Sequence, residues 1–175
     1  MTPNPAAPPP ARKSNVTLIV IIALVAAGGC CLFGIIAAIA IPNFVRYQAR
    51  AKQSEAKVNT KALFTAQKAH YAETDAYSTE AGELGLMPGT RYTCFVTPRS
   101  YVAPLQGAAV NFDELTLDDA TRPGVTGDCP ACEFTAVCAG NIDTDPAFDV
   151  WSISSVDRAC GKAGVPCNDV NDLEQ

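Results

Sequence analysis

The chain has 175 residues, with thirteen Lys/Arg against eighteen Asp/Glu, eight cysteines and a single histidine. That length holds one modest domain plus an extension, and the lone histidine with no Gly-rich phosphate loop excludes the commonest hydrolytic and nucleotide-binding designs. The charge is divided: residues 1–72 carry eight Lys/Arg and one acid, residues 73–175 five Lys/Arg and seventeen acids, so the second half is no nucleic-acid binder and would attract the first half of another copy.

Residues 1–15 are Pro/Ala-rich without apolar periodicity and read as a disordered tail. Residues 16–41 carry no charge. As a helix these 26 positions reach roughly 39 Å, enough to cross a bilayer core of about 30 Å. The run is too long for a cleaved signal peptide. Cys30 and Cys31 lie inside it and count apart from the other six cysteines. Residues 42–72 have helical spacing, with Phe44, Tyr47, Ala51, Val58, Ala62, Ala66 and Ala69 marking one face. Such a stripe needs a covering sheet or neighbouring helices. Pro42 removes an amide donor at the end of the apolar run, so the expectation is one helix bent at Pro42, where it leaves the membrane.

After residue 72 glycine, proline, threonine and aspartate become common. Residues 91–97, 133–139 and 148–154 read as strands, with weaker candidates at 101–105 and 108–112. Strands without intervening helices imply an antiparallel sheet, and its apolar face is expected to cover the helix stripe. The fold class is therefore α+β, with residues 73–175 forming the sheet-bearing head. The tail after Lys162 reads as a loop.

Cys94, Cys129, Cys132, Cys138, Cys160 and Cys167 form an even set in this head, which points to disulfides and an oxidising compartment. Six cysteines allow fifteen pairings. The single Cys129–Cys132 CxxC pair lacks the second pair of a zinc knuckle and the βαβ setting of a thioredoxin-like motif. Asp143, Asp145 and Asp149 place carboxylates at nearby positions and partly resemble a calcium loop. Pro146 and Ser152 stand where an EF-hand needs glycine and glutamate, and Asx-turns explain the same residues. Calcium is the one cofactor to consider; otherwise none is expected. His70 reads as a packing or surface residue and Trp151 as core.

Two stretches carry a family resemblance. Residues 35–73, IIAAIAIPNFVRYQARAKQSEAKVNTKALFTAQKAHYAE, resemble the N-terminal helix of bacterial type IV pilins and of the pseudopilins of type II secretion systems. Residues 134–158, FTAVCAGNIDTDPAFDVWSISSVDR, resemble the last strands of short pilins. The resemblance implies a non-enzymatic subunit that packs laterally with other pilin-like subunits or with copies of itself. Phe44, Tyr47, Ala51 and Val58 would lie on the assembly helix. It also implies a Cys160–Cys167 bridge at the base of the C-terminal loop, which leaves Cys94 and Cys138 to be tied to the Cys129/Cys132 loop. In the family a glycine before the cut and a glutamate soon after it serve processing and assembly. Here Asn15 and Val20 stand in those places; the register counted back from Pro42 puts the first mature residue at Ile21 and the glutamate's place at Val25, again without glycine before the cut or glutamate after it. The expectation is an unprocessed chain. The resemblance and the cysteines place the head outside an inner membrane and the tail in the cytoplasm, although Lys/Arg counts around the span favour the reverse. The alternative function is an unprocessed single-pass protein that uses the scaffold for extracytoplasmic ligand binding or sensing.

Overall fold

The computed structural model describes residues 15–142 and 146–171, without the side chains of residues 27 and 30–32. The Pro/Ala-rich tail, apart from Asn15, lies outside the described residues, as do Asp143 and Asp145. The chain divides into two units, Met1–Phe44 and Val45–Gln175.

Helix α1 runs from Val16 to Thr74, through Pro42, and stops where Asp75 takes a left-handed conformation (φ 58°). Pro42 removes one hydrogen bond only, and good helix formers on both sides keep the helix going. In the first unit the apolar side chains are uncovered, with Ile19 at 64% and Phe33 at 76% exposure. Among the described residues no helix is long and apolar enough to cross a membrane.

In the second unit, α1 packs on an antiparallel sheet. Its strands are β1 (Thr93–Phe95), β2 (Tyr101–Val102), β3 (Gly124–Thr126), β4 (Glu133–Gly140), β5 (Asp149–Ser154) and β6 (Cys167–Val170). The order is β2-β1-β4-β5-β6, and β3 pairs with the half of β4 that β1 leaves free. Side-chain alternation along β4 sends Phe134, Ala136 and Cys138 to the helix side and Val137 and Ala139 to the other. Two clusters result. The inner one joins those residues to Trp151 and Ile153 and to Ala49, Ala56 and Leu63 of α1. The outer one joins Phe95, Val110 and Val150 to Phe112, Leu115 and Leu117 of the segment that crosses this face.

Several expectations need correction. The helix face covered by the sheet is Ala49, Gln53, Ala56, Thr60, Leu63 and Gln67, whose alternating spacings of four and three keep them in line. It is not the face of Tyr47, Ala51 and Val58, which points away from the sheet. Half of the covered face is polar, which hides it from a search for apolar residues. Each polar member is satisfied: Thr60 donates to the Ala56 carbonyl at 2.9 Å, and Gln67 both donates to and accepts from the Ser78 backbone at 2.8 and 3.0 Å. The candidate strand at 101–105 shortens to two residues. The stretch 108–112 forms none, because the Val110 N–H goes to the Thr93 hydroxyl at 2.8 Å. The segment after Lys162 is not wholly loop but contributes β6.

The disulfides are Cys94–Cys138, Cys129–Cys132 and Cys160–Cys167. The third is the bridge implied by the pilin resemblance. The other two correct the expected tie between strands and loop. Cys94 and Cys138 stand opposite each other in the β1–β4 ladder and bond directly, and Cys129–Cys132 closes on itself.

Candidate assembly surface

The residues named for assembly lie on the open side of α1. In the second unit Tyr47 is 68% exposed and Val58 67%, with Ala51 between them also exposed. Spacings of four and seven place the three on one side. Phe44, in the first unit, is 62% exposed. Among the described residues nothing covers the open side in the second unit, because the sheet occupies the opposite one. Small Ala51 between two larger apolar residues leaves room for close approach by another element.

The basic residues of α1 are not equally available. Lys52 donates to the Ile142 carbonyl, Lys61 to the Gly164 carbonyl at 2.6 Å, and Lys68 to the Tyr77 hydroxyl at 2.7 Å. The Lys57 ammonium stands 4.9 Å from the centre of the Trp151 ring. These lysines hold the head's own loops and strands to the helix. Glu55 does the same with opposite charge: it accepts from the Thr90 and Arg91 amides and pairs with the Arg91 guanidinium at 3.5 Å. Arg46 and Arg50, four apart and both exposed, have no side-chain hydrogen bond or ion pair among the described residues.

On the outer face of the sheet, the segment between the 3-10 turns Phe112–Glu114 and Asp119–Thr121 presents acids outward. Phe112, Leu115 and Leu117 face inward onto the outer cluster, and Phe112 meets Phe95 edge-on at 5.5 Å. Asp113, Glu114, Asp118 and Asp119 between and beside them are exposed. Pinning by three apolar side chains gives this acidic edge a fixed place.

Asp149 is fully buried on β5, where it organises the junction of helix and sheet. Its Oδ1 accepts from Gln53 Nε2 at 2.8 Å and from Asn168 Nδ2 at 3.4 Å. Its Oδ2 accepts from the Tyr92 hydroxyl at 2.7 Å and from Trp151 Nε1 at 2.6 Å. Four protein donors occupy the carboxylate that the calcium reading needed as a ligand, and Asp143 and Asp145 lie outside the described residues. Among the described residues no group of three or more His, Cys, Asp or Glu could hold a metal ion. All six head cysteines are in disulfides, which leaves no thiolate set for zinc. Trp151 is 5% exposed and belongs to the inner core. His70 is half-buried on α1, and its carbonyl accepts from the Thr74 hydroxyl at 2.8 Å.

Asp169 is a partly buried carboxyl beside Arg158. The β5–β6 ladder shifts register between Val150 and Trp151, which leaves Asp169 without a cross-strand partner. Burial pushes its carboxyl above the usual range; Ser152 and Arg158 pull it down by less, and Asp118 adds to the rise. Asp169 Oδ2 makes no hydrogen bond, nor does Ser152 Oγ, so the opposing pull is weakly anchored. A raised native pKa means that the folded state binds this proton more tightly than the unfolded chain does. Its contribution is then fully present below the unfolded value, about 3.9, and is lost as pH rises through the raised native value. Asp169→Asn is therefore expected to raise the melting temperature at neutral pH, with the gap to wild type closing as pH falls towards about 4. A lower melting temperature for the variant at neutral pH contradicts this account.

A family model described as type IV pilin PilA matches residues 47–103, from the outward Tyr47 through the rest of α1 and both β1 and β2. The type IV major pilin protein PilA of Myxococcus xanthus (strain DK1622) is 36% identical over 180 residues, covering 81% of this chain and 81% of that protein.

Proposed function

We infer the function from one premise: the chain belongs to the type IV pilin family. It is a structural subunit, not an enzyme, and we propose that its product is a surface filament built from copies of itself. The observation that carries this reading is the division of labour on α1. One face is fully used by the chain's own sheet, while the face of Tyr47, Ala51 and Val58 is left open over the same turns. A helix with a spare apolar face is stable only where something else covers it.

We propose further that residues 16–41 stand in the inner membrane before assembly, with Pro42 at the exit and the head outside. The support is the uncharged run of 26 positions and the exposed Ile19, Phe33 and Ile41. In the filament the same surface would be covered by equivalent helices. Both matches are to pilins, which favours a pilus over a type II secretion filament. The sensing alternative has no comparable observation in its favour.

Shearing cells that express the chain and probing the sheared fraction tests the reading. The chain is expected in surface filaments, and cells lacking it are expected to lose them. Recovery of the chain only from membranes, with filaments unaffected by its deletion, overturns the proposal. Sequencing the N-terminus of the same material addresses processing: a mature terminus within residues 14–30 contradicts the unprocessed state.

A further inference from the structure

Strand β6 ends the sheet order β2-β1-β4-β5-β6, so it has one neighbour, and three residue pairs join it to β5. Asn168 faces the helix side, where it donates to Asp149 at 3.4 Å. Asp169, at the register shift, faces the outer side with Ser152. Six buried side-chain polar atoms make no hydrogen bond among the described residues, and four of them belong to this one place: Ser152 Oγ, Arg158 Nη1, Arg158 Nη2 and Asp169 Oδ2. Arg158 stands two residues before Cys160, and Asp169 two residues after Cys167, so the two charges flank the neck of the loop that this disulfide closes. The far end of the loop is anchored separately. There Lys61 of α1 donates to the Gly164 carbonyl at 2.6 Å, and the Gly164 amide donates to the Ser154 carbonyl at 2.9 Å.

We propose that Arg158, Ser152 and Asp169 form a proton-controlled clasp on β6: the strand lies closed on β5 when Asp169 is protonated and opens locally, on the tether of the Cys160–Cys167 loop, when Asp169 ionises. Burial disfavours the ionised carboxyl; Ser152 from β5 and Arg158 from the loop favour it by less, and Asp118 from the outer segment opposes it. Asp118 is exposed and also accepts from the Thr121 hydroxyl at 3.4 Å. Asp172 and Glu174, further along the chain, lie outside the described residues. An edge strand with three pairs relieves a partly buried charge by opening, since water then reaches the carboxylate. The closing contribution is complete below the unfolded value of about 3.9 and is lost as pH rises through the raised native value. Arg158 limits the opening, because its charge favours the ionised carboxyl in the closed strand. Removing that charge raises the native value further and steepens the loss. What opening exposes is the free edge of β5.

Hydrogen exchange of the full chain in detergent, read on peptides from β6 and β4, tests the clasp. After correction for intrinsic exchange, protection of β6 is expected to fall about fivefold or more between about pH 5 and about pH 7.5, while that of β4 holds. Asp169→Asn is expected to keep β6 protected at both values, Arg158→Met to deepen the fall, and Arg158→Lys to return the wild-type profile. Asp172→Asn with Glu174→Gln is expected to leave the fall unchanged. Protection of β6 that does not vary with pH overturns the clasp, as does an equal fall in Asp169→Asn. So does a wild-type profile in Arg158→Met, or a fall that disappears with the Asp172 and Glu174 replacements.

Discussion

Asp149→Ala is expected to lower the stability of the head by about 3–5 kcal/mol, a large part of the 5–15 kcal/mol that holds a typical domain together. The side chain is fully buried, and its two oxygens take hydrogen bonds from Gln53, Tyr92, Trp151 and Asn168. Alanine takes that acceptor from all four; Gln53 keeps Asn171 Oδ1 at 2.9 Å, but the buried Trp151 Nε1 loses its acceptor, and a buried donor without a partner costs about 1–3 kcal/mol. The four come from α1, the approach to β1, β5 and β6, so the loss loosens the helix and three parts of the sheet together. Guanidinium unfolding of the full chain in detergent, followed by the fluorescence of its single tryptophan, measures the change. Gln53→Leu supplies a control: it removes one donor but leaves the carboxylate three others, and a smaller loss is expected. A midpoint for Asp149→Ala equal to that of wild type would remove Asp149 from the centre of the fold.

The second large effect concerns the disulfides, which differ in the chain they enclose. Cys94–Cys138 spans 44 residues, Cys160–Cys167 seven and Cys129–Cys132 three. Constraint of the unfolded chain grows with the logarithm of the loop, to about 4 kcal/mol for the first bridge against about 1.5–2.5 kcal/mol for the others. Cys94 and Cys138 are also buried, at 7% and 0% exposure, so replacing the pair with alanine leaves space in the inner core as well. Cys94→Ala with Cys138→Ala is expected to cost most, and Cys129→Ala with Cys132→Ala least. Melting the three paired variants side by side checks the ranking; an equal loss from the first and second bridges contradicts it.

How far the fold could be read in advance depended on whether an element's reason lay within itself. The helix was legible because an uncharged run and an alanine-rich periodic run meet without a glycine between residues 43 and 72. Strands β4 and β5 were legible because Phe134 to Ala139 and Phe148 to Ile153 are apolar and β-branched or aromatic in long enough runs. Strands β3 and β6 were not. Gly-Val-Thr and Cys-Asn-Asp-Val have little strand character, and they are strands because β4 and β5 offer them an edge.

The buried side of α1 was misplaced for a related reason. Gln53, Thr60 and Gln67 look like surface residues until their partners are known, and Asp149 is 96 positions from Gln53. The residues proposed for assembly could be named from the pilin-like run, yet the sequence alone put them under the sheet instead of facing away from it. Of the basic arm, nothing local distinguishes Lys52 and Lys61, which the head uses itself, from Arg46 and Arg50, which form no such hydrogen bond among the described residues. The cysteine pairing stayed open because opposition of Cys94 and Cys138 depends on the register of β1 against β4.

A helix that serves two masters on alternate sides should sort its own mutants. A bulky replacement at Ala49 or Ala56 strikes the sheet, so the expected phenotype is a chain degraded before it reaches the surface. The same replacement at Ala51, two positions from Ala49, points into open space in a single copy. It leaves abundance untouched and shows itself only as missing fibres. A saturation screen along residues 46–67, scored once for protein level and once for fibres, is thus expected to resolve into two interleaved stripes. The phase of each position, more than its chemistry, decides which kind of loss is seen.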